Sequence, residues 1–404
     1  MDPYPSSAGP RVVVTHAVRT PIGKFLGVFS PLSSVELGVA AVRGLLARSG
    51  IRPERVDRLI FGNARQAGAG PNVARQIALR AGLRRETPAF TVNMACASGL
   101  EAILLAYQAV ALGQASVVVA GGTESMSNLP FLLPGMRRGL RLGHAPAVDA
   151  MYKDGFLDPL CELLMGETAE KLAKERLIPR EEQDAYAAES QRRCEAARRE
   201  GRFREEILAV EVPDAANEAR RIEEDEHPRD GVTAESLAKL APVFDAADGT
   251  VTAGNSSGIT DGAAAVLVMS RDEAKHLGVR PLARIGPFAE VGVEPARMGI
   301  GPVPAVRELT DRIGCTPDDF DVLELNEAFA AQVLACVRDL GLPLDRTNPN
   351  GGAIALGHPI GCSGARIVVT LLHEMRRREA WKGLATLCVS GGMGVAATFY
   401  RFEA

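Results

Sequence analysis

The sequence predicts an α/β protein made of two homologous halves with a segment inserted between them, and three observations lead there. Residues 41–62 lie on residues 305–326 without a gap, matching Ala41 with Ala305, Arg43 with Arg307, Leu45 with Leu309, Gly50 with Gly314, Pro53 with Pro317, Asp57 with Asp321 and Leu59 with Leu323. Ser98-Gly99 likewise matches Ser363-Gly364, and each pair opens an apolar-periodic helix that leads to a strand ending in glycines. Each copy also alternates strand and helix, which favours mainly parallel sheets covered by helices. A tandem duplication of a helix, strand, helix, strand unit accounts for all three. Two copies at so long a period are paired domains rather than a solenoid, and they would pack back to back. The reading divides the chain into an N-terminal half (1–124 and 245–275), an inserted loop domain (125–244) and a C-terminal half (276–404).

Taken in order, an apolar strand ends at Val92, and Leu100, Ile103, Leu104, Tyr107 and Val110 then recur at helical spacing until Gly113 stops them. Val117–Gly122 reads as a buried strand running into glycines. The insertion has another character: Pro130, Pro134 and Gly135, a charged helix over Glu167–Arg202, and the acidic run Glu223–Glu226. Ala263–Met269 returns as a buried strand, and Thr386–Gly392 is its counterpart to Val117–Gly122 near the end of the second copy.

A chain of 404 residues is too long for one ordinary core and suits two or three domains. Its formal charge of −4, with both signs interspersed, gives no electrostatic case for nucleic acid or an acidic membrane surface. No apolar run is long enough to cross a bilayer, Met1–Pro10 lacks the pattern of a secretory signal, and Arg401–Ala404 matches no peroxisomal address. A cytoplasmic protein is expected. Seven cysteines, at 96, 161, 194, 315, 336, 362 and 388, are odd in number and scattered, which speaks against a disulfide framework or a zinc-ribbon type of metal site. Cys161, Cys194, Cys315 and Cys336 read as packing residues in helices or at helix edges.

Chemistry concentrates where strands break into glycine-flanked turns, which is where open α/β sheets place active residues. Cys96 stands between a strand and a helix start, where unpaired N–H groups and the positive end of the helix dipole are expected to ease ionisation of a thiol. Taken alone it could equally be a packed core thiol. His358 is the one titratable ring of the glycine-rich loop Asn350–Gly364, Cys388 precedes Gly391-Gly392-Met393-Gly394, and Asn326 opens the turn Asn326-Glu327-Ala328-Phe329. Alone, these could be a loop-bracing ring, a buried strand residue and a helix cap. Pseudo-symmetry should bring the two Ser-Gly helix starts to a common axis, so that His358 faces Cys96 and takes its proton for acyl transfer. A second cysteine implies a second proton step.

The four runs around Cys96, Asn326–Phe329, Gly357-His358-Pro359 and Cys388–Gly394 resemble the signature blocks of the thiolases, acetyl-CoA acetyltransferases and 3-ketoacyl-CoA thiolases, in order and over nearly the whole chain from Val12-Val13-Val14 onward. The resemblance implies duplicated α/β domains packed as a layered αβαβα structure with an inserted loop domain. It implies Cys96 as the acyl carrier, His358 as its base, and Cys388 as the group that moves the α-proton of acetyl-CoA. One oxyanion hole would be formed by His358 and a water held by Asn326, the other by the backbone N–H groups of Cys96 and Ser390. Many relatives have only glycine in that last turn, so the hole depends on the turn accepting the Cβ of Ser390. The resemblance carries CoA or acyl contacts onto Ser236, Leu237, Phe244, Ala253, Ser257, Met298, Phe329 and Ile360, with Arg229 toward the nucleotide phosphates. Leu164, before Met165, stands where several acetoacetyl-CoA-forming members have histidine, which bears on chain-length specificity.

The implied partners are acetyl-CoA, 3-oxoacyl-CoA and CoA, with no metal or redox cofactor and no nucleic acid or membrane. A homodimer or homotetramer is expected, with residues 133–144 as a candidate assembly loop. Two other readings are open: a decarboxylating ketoacyl synthase-like enzyme, which needs no base such as Cys388, and a catalytically silent CoA-binding relative, which needs no live Cys96.

Overall fold

The computed structural model describes residues 11–213 and 219–402. The readings of Met1–Pro10 and of the final Glu403-Ala404 lie outside the described residues. Nine strands form the main sheet path: β1 (Val12–Arg19), β2 (Arg58–Gly62), β3 (Ala89–Val92), β4 (Val117–Ser125), β5 (Thr260–Ser270), β6 (Ala283–Gly292), β7 (Val322–Leu325), β8 (Lys382–Val389) and β9 (Met393–Arg401). They run in the order β7-β8-β9-β6-β1-β5-β4-β2-β3, with the two-residue strand Gly23–Lys24 added on β5. The order β1-β5-β4-β2 of the first half recurs as β6-β9-β8-β7 in the second. The halves join edge to edge where Val13 lies opposite Arg284 and Val14 opposite Ala283.

The expectation of mainly parallel sheets is corrected by the pairing. Only β2 with β3, β2 with β4, and β7 with β8 run parallel, and the other neighbours are antiparallel. The cause is a chain reversal. The turn Ser390–Gly392 between β8 and β9 is too short for a crossover, so those strands can only be antiparallel. At the matching place in the first half, between β4 and β5, the inserted segment occupies the position of that turn.

Among the described residues eight helices have eight residues or more: α1 (Ser34–Ser49), α2 (Val73–Arg80), α3 (Ser98–Ala111), α4 (Met165–Glu175), α5 (Arg180–Arg199), α6 (Pro302–Ile313), α7 (Ala330–Leu340) and α8 (Ile360–Arg377). Val42, Leu45 and Ile77 of α1 and α2 pack with Phe61 and Leu267 on one outer face. Val306, Leu309 and Val333 of α6 and α7 pack with Leu323 and Leu384 on the other. Between the half-sheets lie α3 and α8, whose Leu100, Ile103, Ile367 and Leu371 share a core with Val118, Val268, Leu387 and Phe399. The layers are therefore helix, sheet, helix, sheet, helix, and α8 is buried nearly all round, Ser363, Arg366, Thr370 and Glu374 included, because sheet or helix covers it on nearly every side.

The repeat has local physical causes. Gly50 and Gly314 end α1 and α6 in the left-handed conformation, at φ 67° and 66°, where a Cβ is penalised. Asp57 accepts from the N–H groups of Ser116 and Val117 at 2.8 and 3.0 Å, and Asp321 from those of Trp381 and Lys382 at 2.7 and 2.9 Å. Each thus fixes the start of the next parallel strand.

The charged helix expected over 167–202 is two helices, α4 and α5, because Leu177 takes a left-handed φ of 51° and Pro179 has no N–H to continue the ladder. Cys161 lies in a turn between the short strands Leu157–Asp158 and Leu163–Leu164 rather than at a helix, whereas Cys194 and Cys336 are buried in α5 and α7. Among the described residues no helix is long and apolar enough to cross a membrane.

Candidate active site

The N-termini of α3 and α8 meet through glycine. A Cβ on Gly99 would stand 2.6 Å from the backbone N of Ala365, and one on Gly364 would stand 2.5 Å from that of Leu100. These are equivalent contacts of the two copies, so the pseudo-symmetry read from Ser98-Gly99 and Ser363-Gly364 is present in space. Gly122 and Gly361 meet in the same way, the Cβ position of Gly122 falling 2.1 Å from the Gly361 carbonyl. Only backbones this close can set the turn before α3 and the loop before α8 around one cavity.

That cavity, of about 270 Å³, is lined by Cys96, His358, Cys388 and Ser390 together. Cys96 sits in a single 3₁₀ turn, Ala95–Ala97, just ahead of α3. Ala95 is held at φ 43°, and the Ser98 hydroxyl braces the turn by accepting from Met94 N at 2.9 Å and donating to the Ala95 carbonyl at 2.7 Å. The expected acidification of the thiol is corrected. Burial raises the Cys96 pKa, and this outweighs Arg65 and the N–H groups of Ser390 and Cys96, which lower it. Those N–H groups nevertheless lie close enough to the sulfur to favour its charged form.

His358 has a defined proton position. Its Nδ1 lies 2.5 Å from the Ser363 hydroxyl, and that hydroxyl donates its only hydrogen to the Pro359 carbonyl at 3.0 Å. Nδ1 must therefore carry the hydrogen and donate to Ser363, which leaves Nε2 a bare lone pair. Nε2 has no hydrogen-bond partner. Burial first, and then Arg366 and Arg65, hold the ring's pKa down to about 3, so it is a neutral acceptor near pH 7.

Cys388 ends β8 and is 1 % exposed, with its pKa raised well above the ordinary thiol value by burial, then Cys96, then Cys336. The Ser390 turn accommodates its Cβ, because the left-handed positions fall on Gly391 and Gly392, at φ 87° and 82°. Asp158 accepts from Gly391 N at 2.9 Å and fixes that turn. Asn326 is fully buried beside the cavity rather than on its wall, with neither side-chain polar atom hydrogen-bonded among the described residues. Its amide is free to hold a small polar ligand.

The acyl and pantetheine candidates divide. Leu164, Met165, Phe244 and Ser257 line the cavity, as do Met298, Phe329 and Ile360. Arg229, Ser236, Leu237 and Ala253 do not. Ser236 is exposed and caps its own one-turn helix with Thr233, Ala253 and Arg229 are exposed, and Leu237 packs under the Ala253–Gly258 turn against Ala187 and Ile354. That turn is tied to the cavity floor, where Ser257 N donates to the Ala328 carbonyl at 3.0 Å and Ala330 N to that of Asn255 at 2.9 Å.

Sequence reasoning missed four groups. Glu124, fully buried at the end of β4, accepts from Asn63 Nδ2, Ala64 N and Gly361 N at 2.7, 3.1 and 2.9 Å, so one carboxylate joins both halves behind the cavity. Arg65 lines the cavity beside it. Ser363 orients His358. Glu327 accepts from Tyr186, Ser190, Asn348 and Ile354 N, tying α5 of the insertion to the loop that carries His358. A carboxylate in the otherwise buried strand run before Ser125 was the signal available for Glu124.

The chain is similar to known proteins over nearly its whole length. The chain matches the family models for the thiolase N-terminal domain over residues 12–272 and the thiolase C-terminal domain over residues 279–401. It is 51% identical over 390 residues to an acetyl-CoA acetyltransferase of Allochromatium vinosum, covering 96% of this chain and 99% of that one. The solved acetyl-CoA acetyltransferase of Bacillus anthracis superposes with a TM-score of 0.95 at 43% identity, covering 98% of this chain and 100% of that one. Human mitochondrial 3-ketoacyl-CoA thiolase in complex with CoA gives 0.93 at 41% identity, covering 97% and 98%.

Proposed function

The chain belongs to the thiolase family, and from that premise we propose the roles its residues play in acyl exchange between thioesters. The reaction is reversible Claisen condensation and thiolysis: acyl-CoA plus acetyl-CoA in exchange with 3-oxoacyl-CoA plus CoA. The observation that carries the residue roles is the bare Nε2 of His358 in one cavity with two thiols.

In the first half-reaction His358 Nε2 takes the Cys96 proton as the sulfur attacks the thioester carbonyl carbon. The N–H groups of Cys96 and Ser390 receive the charge that develops on the carbonyl oxygen. CoA leaves as its thiolate and takes the proton back from Nε2. In the second, Cys388 as thiolate removes a proton from the α-carbon of acetyl-CoA, the carbanion attacks the Cys96 thioester carbonyl, and the Cys96 sulfur leaves and takes that proton from Cys388, which returns both thiols to their starting forms. His358 and a water held by Asn326 stabilise the enolate oxygen. An acylated Cys96 cannot ionise, so it sets no charge against the Cys388 thiolate. In the cleaving direction Cys388 starts as a thiol, the form its burial favours, and protonates the departing carbanion.

The cavity beside Leu164 and Met165 is largely apolar, which supports acyl groups longer than acetyl and a place in fatty acid metabolism. Exposed Arg229, Ser236 and Ala253 would meet the CoA arm outside the cavity. Coenzyme A thioesters are substrates in this scheme and no resident cofactor takes part. We assign the protein to the cytoplasm and to a homodimer or homotetramer. Exposed Leu133, Met136, Leu140 and Leu142 in the 133–144 loop support assembly.

Treating the protein with acetyl-CoA and locating the adduct by mass spectrometry is expected to find it on Cys96. The Cys388→Ser variant should keep that adduct and lose thiolysis and α-proton exchange by about 10²-fold or more, the scale of a lost general acid or base. Full thiolytic activity in Cys388→Ser would overturn the assignment. The decarboxylating alternative lacks support because its chemistry leaves Cys388 without a task.

A further inference from the structure

A second cleft, of about 1030 Å³, opens where the C-terminal ends of α1 and α8 meet the start of β6. The catalytic cavity lies at the N-terminal end of α8, so the length of that helix, at 1.5 Å per residue, separates the two by roughly 25 Å. Among the described residues, five arginines line this cleft, Arg48, Arg204, Arg280, Arg376 and Arg401, against two carboxylates, Glu205 and Glu379. Arg376 pairs with Glu205 at 3.3 Å. Arg48 spends its donors on the backbone carbonyls of Glu205 and Ile207, and Arg401 donates to the carbonyl of Glu379, contacts that satisfy hydrogen bonds without cancelling charge. Arg204 and Arg280 are exposed and form no ion pair among the described residues.

The two helix C-termini that end here contribute partial negative charge, about half a charge each, which is less than the arginine excess. This surplus stands on a chain whose formal charge is −4. A cleft of this volume accommodates a molecule of nucleotide size, and guanidinium groups suit phosphate through paired donors.

We propose that this cleft binds a small polyanion carrying at least two phosphate groups, at a site separate from that of the CoA thioesters. Arg204 and Arg280 supply the free charges, and Arg376 exchanges Glu205 for phosphate. The proposal does not rest on the catalytic reading.

Titration calorimetry of the full chain with pyrophosphate at low ionic strength tests it. Pyrophosphate should bind the wild-type protein, with at least ten-fold weaker affinity in the Arg204→Ala/Arg280→Ala double variant, whose thiolysis kcat/KM should match the wild type. Arg229→Ala should bind pyrophosphate unchanged, and inorganic phosphate should bind at least ten-fold more weakly than pyrophosphate. Absence of pyrophosphate binding, equal affinity in the double variant, loss of binding in Arg229→Ala, or equal affinity for monophosphate would each overturn it.

Discussion

At the scale of single residues, the state of His358 is set by a serine five positions away. Ser363 accepts from Nδ1 and so determines that the lone pair sits on Nε2, toward the cavity. Ser363→Ala leaves a buried N–H without a partner and lets the ring reverse its tautomer. We expect kcat for acyl transfer to fall about ten-fold while KM for acetyl-CoA changes little, with Ser363→Thr restoring part of the loss, as befits a positioning residue within a general-base contribution of 10²–10⁴. Steady-state kinetics on both variants checks this. The depressed pKa has its own consequence. With His358 at about 3, no acid limb near pH 6.5 is expected in the acylation rate, and a pre-steady-state profile from pH 5 to 8 should show none from this group. The sign for stability is opposite in direction. The unfolded chain takes up the proton near pH 6.5 and the folded chain does not until about 3, so this histidine destabilises the fold progressively as pH falls through that window. Cys96, His358 and Cys388 were legible in sequence because glycine-flanked strand ends are rare settings for titratable groups. Their ionisation was not, because burial is a property of the assembled layers and overrode the helix-start argument at Cys96.

At the scale of elements, the duplication was legible because its matched residues have position-specific physical tasks. Gly50 and Gly314 close helices, Asp57 and Asp321 fix strand starts, and Gly99 and Gly364 allow two helices to touch. Gly99→Ala and Gly364→Ala should each destabilise the protein by about 1–3 kcal/mol, the usual cost of overpacking. Both sites press on backbone, which cannot rotate away. Denaturant unfolding of the two variants should give similar losses, whereas a loss at only one would contradict the symmetric contact. Strand direction was not legible. The period of a buried strand is the same whichever way its neighbour runs, and only the length of the connection between β8 and β9 decides it. The break between α4 and α5 was legible in principle at Pro179, but the continuous charge pattern masked it.

At the scale of the whole molecule, the insertion does for the first half what the turn Ser390–Gly392 does for the second, and it adds walls to the cavity. Phe244 and Leu164 come from it, and Glu327 anchors its helix α5 under the His358 loop. The same insertion projects the 133–144 loop, where Leu142 is 98 % exposed and Leu140 is 50 % exposed. Leucines so fully presented to water cost solvation that a second copy can recover, at about 25 cal/mol per Å² of apolar surface covered. Among the described residues β3 is an edge strand of the sheet with no outer partner, and it carries Phe90, itself 39 % exposed. The loop and the strand are different elements and predict two separable contacts. For the homotetramer of the two assemblies proposed above, replacing Leu140 and Leu142 by serine should therefore lower it by one step, to the dimer, without dissolving that dimer or reducing kcat by more than about two-fold. No stage of that loss touches the cavity lining or a core layer, where substitutions carry their large costs. Sedimentation analysis of the double variant checks the outcome. An unchanged mass, or a monomer, would show that the loop does not make a second, separable contact.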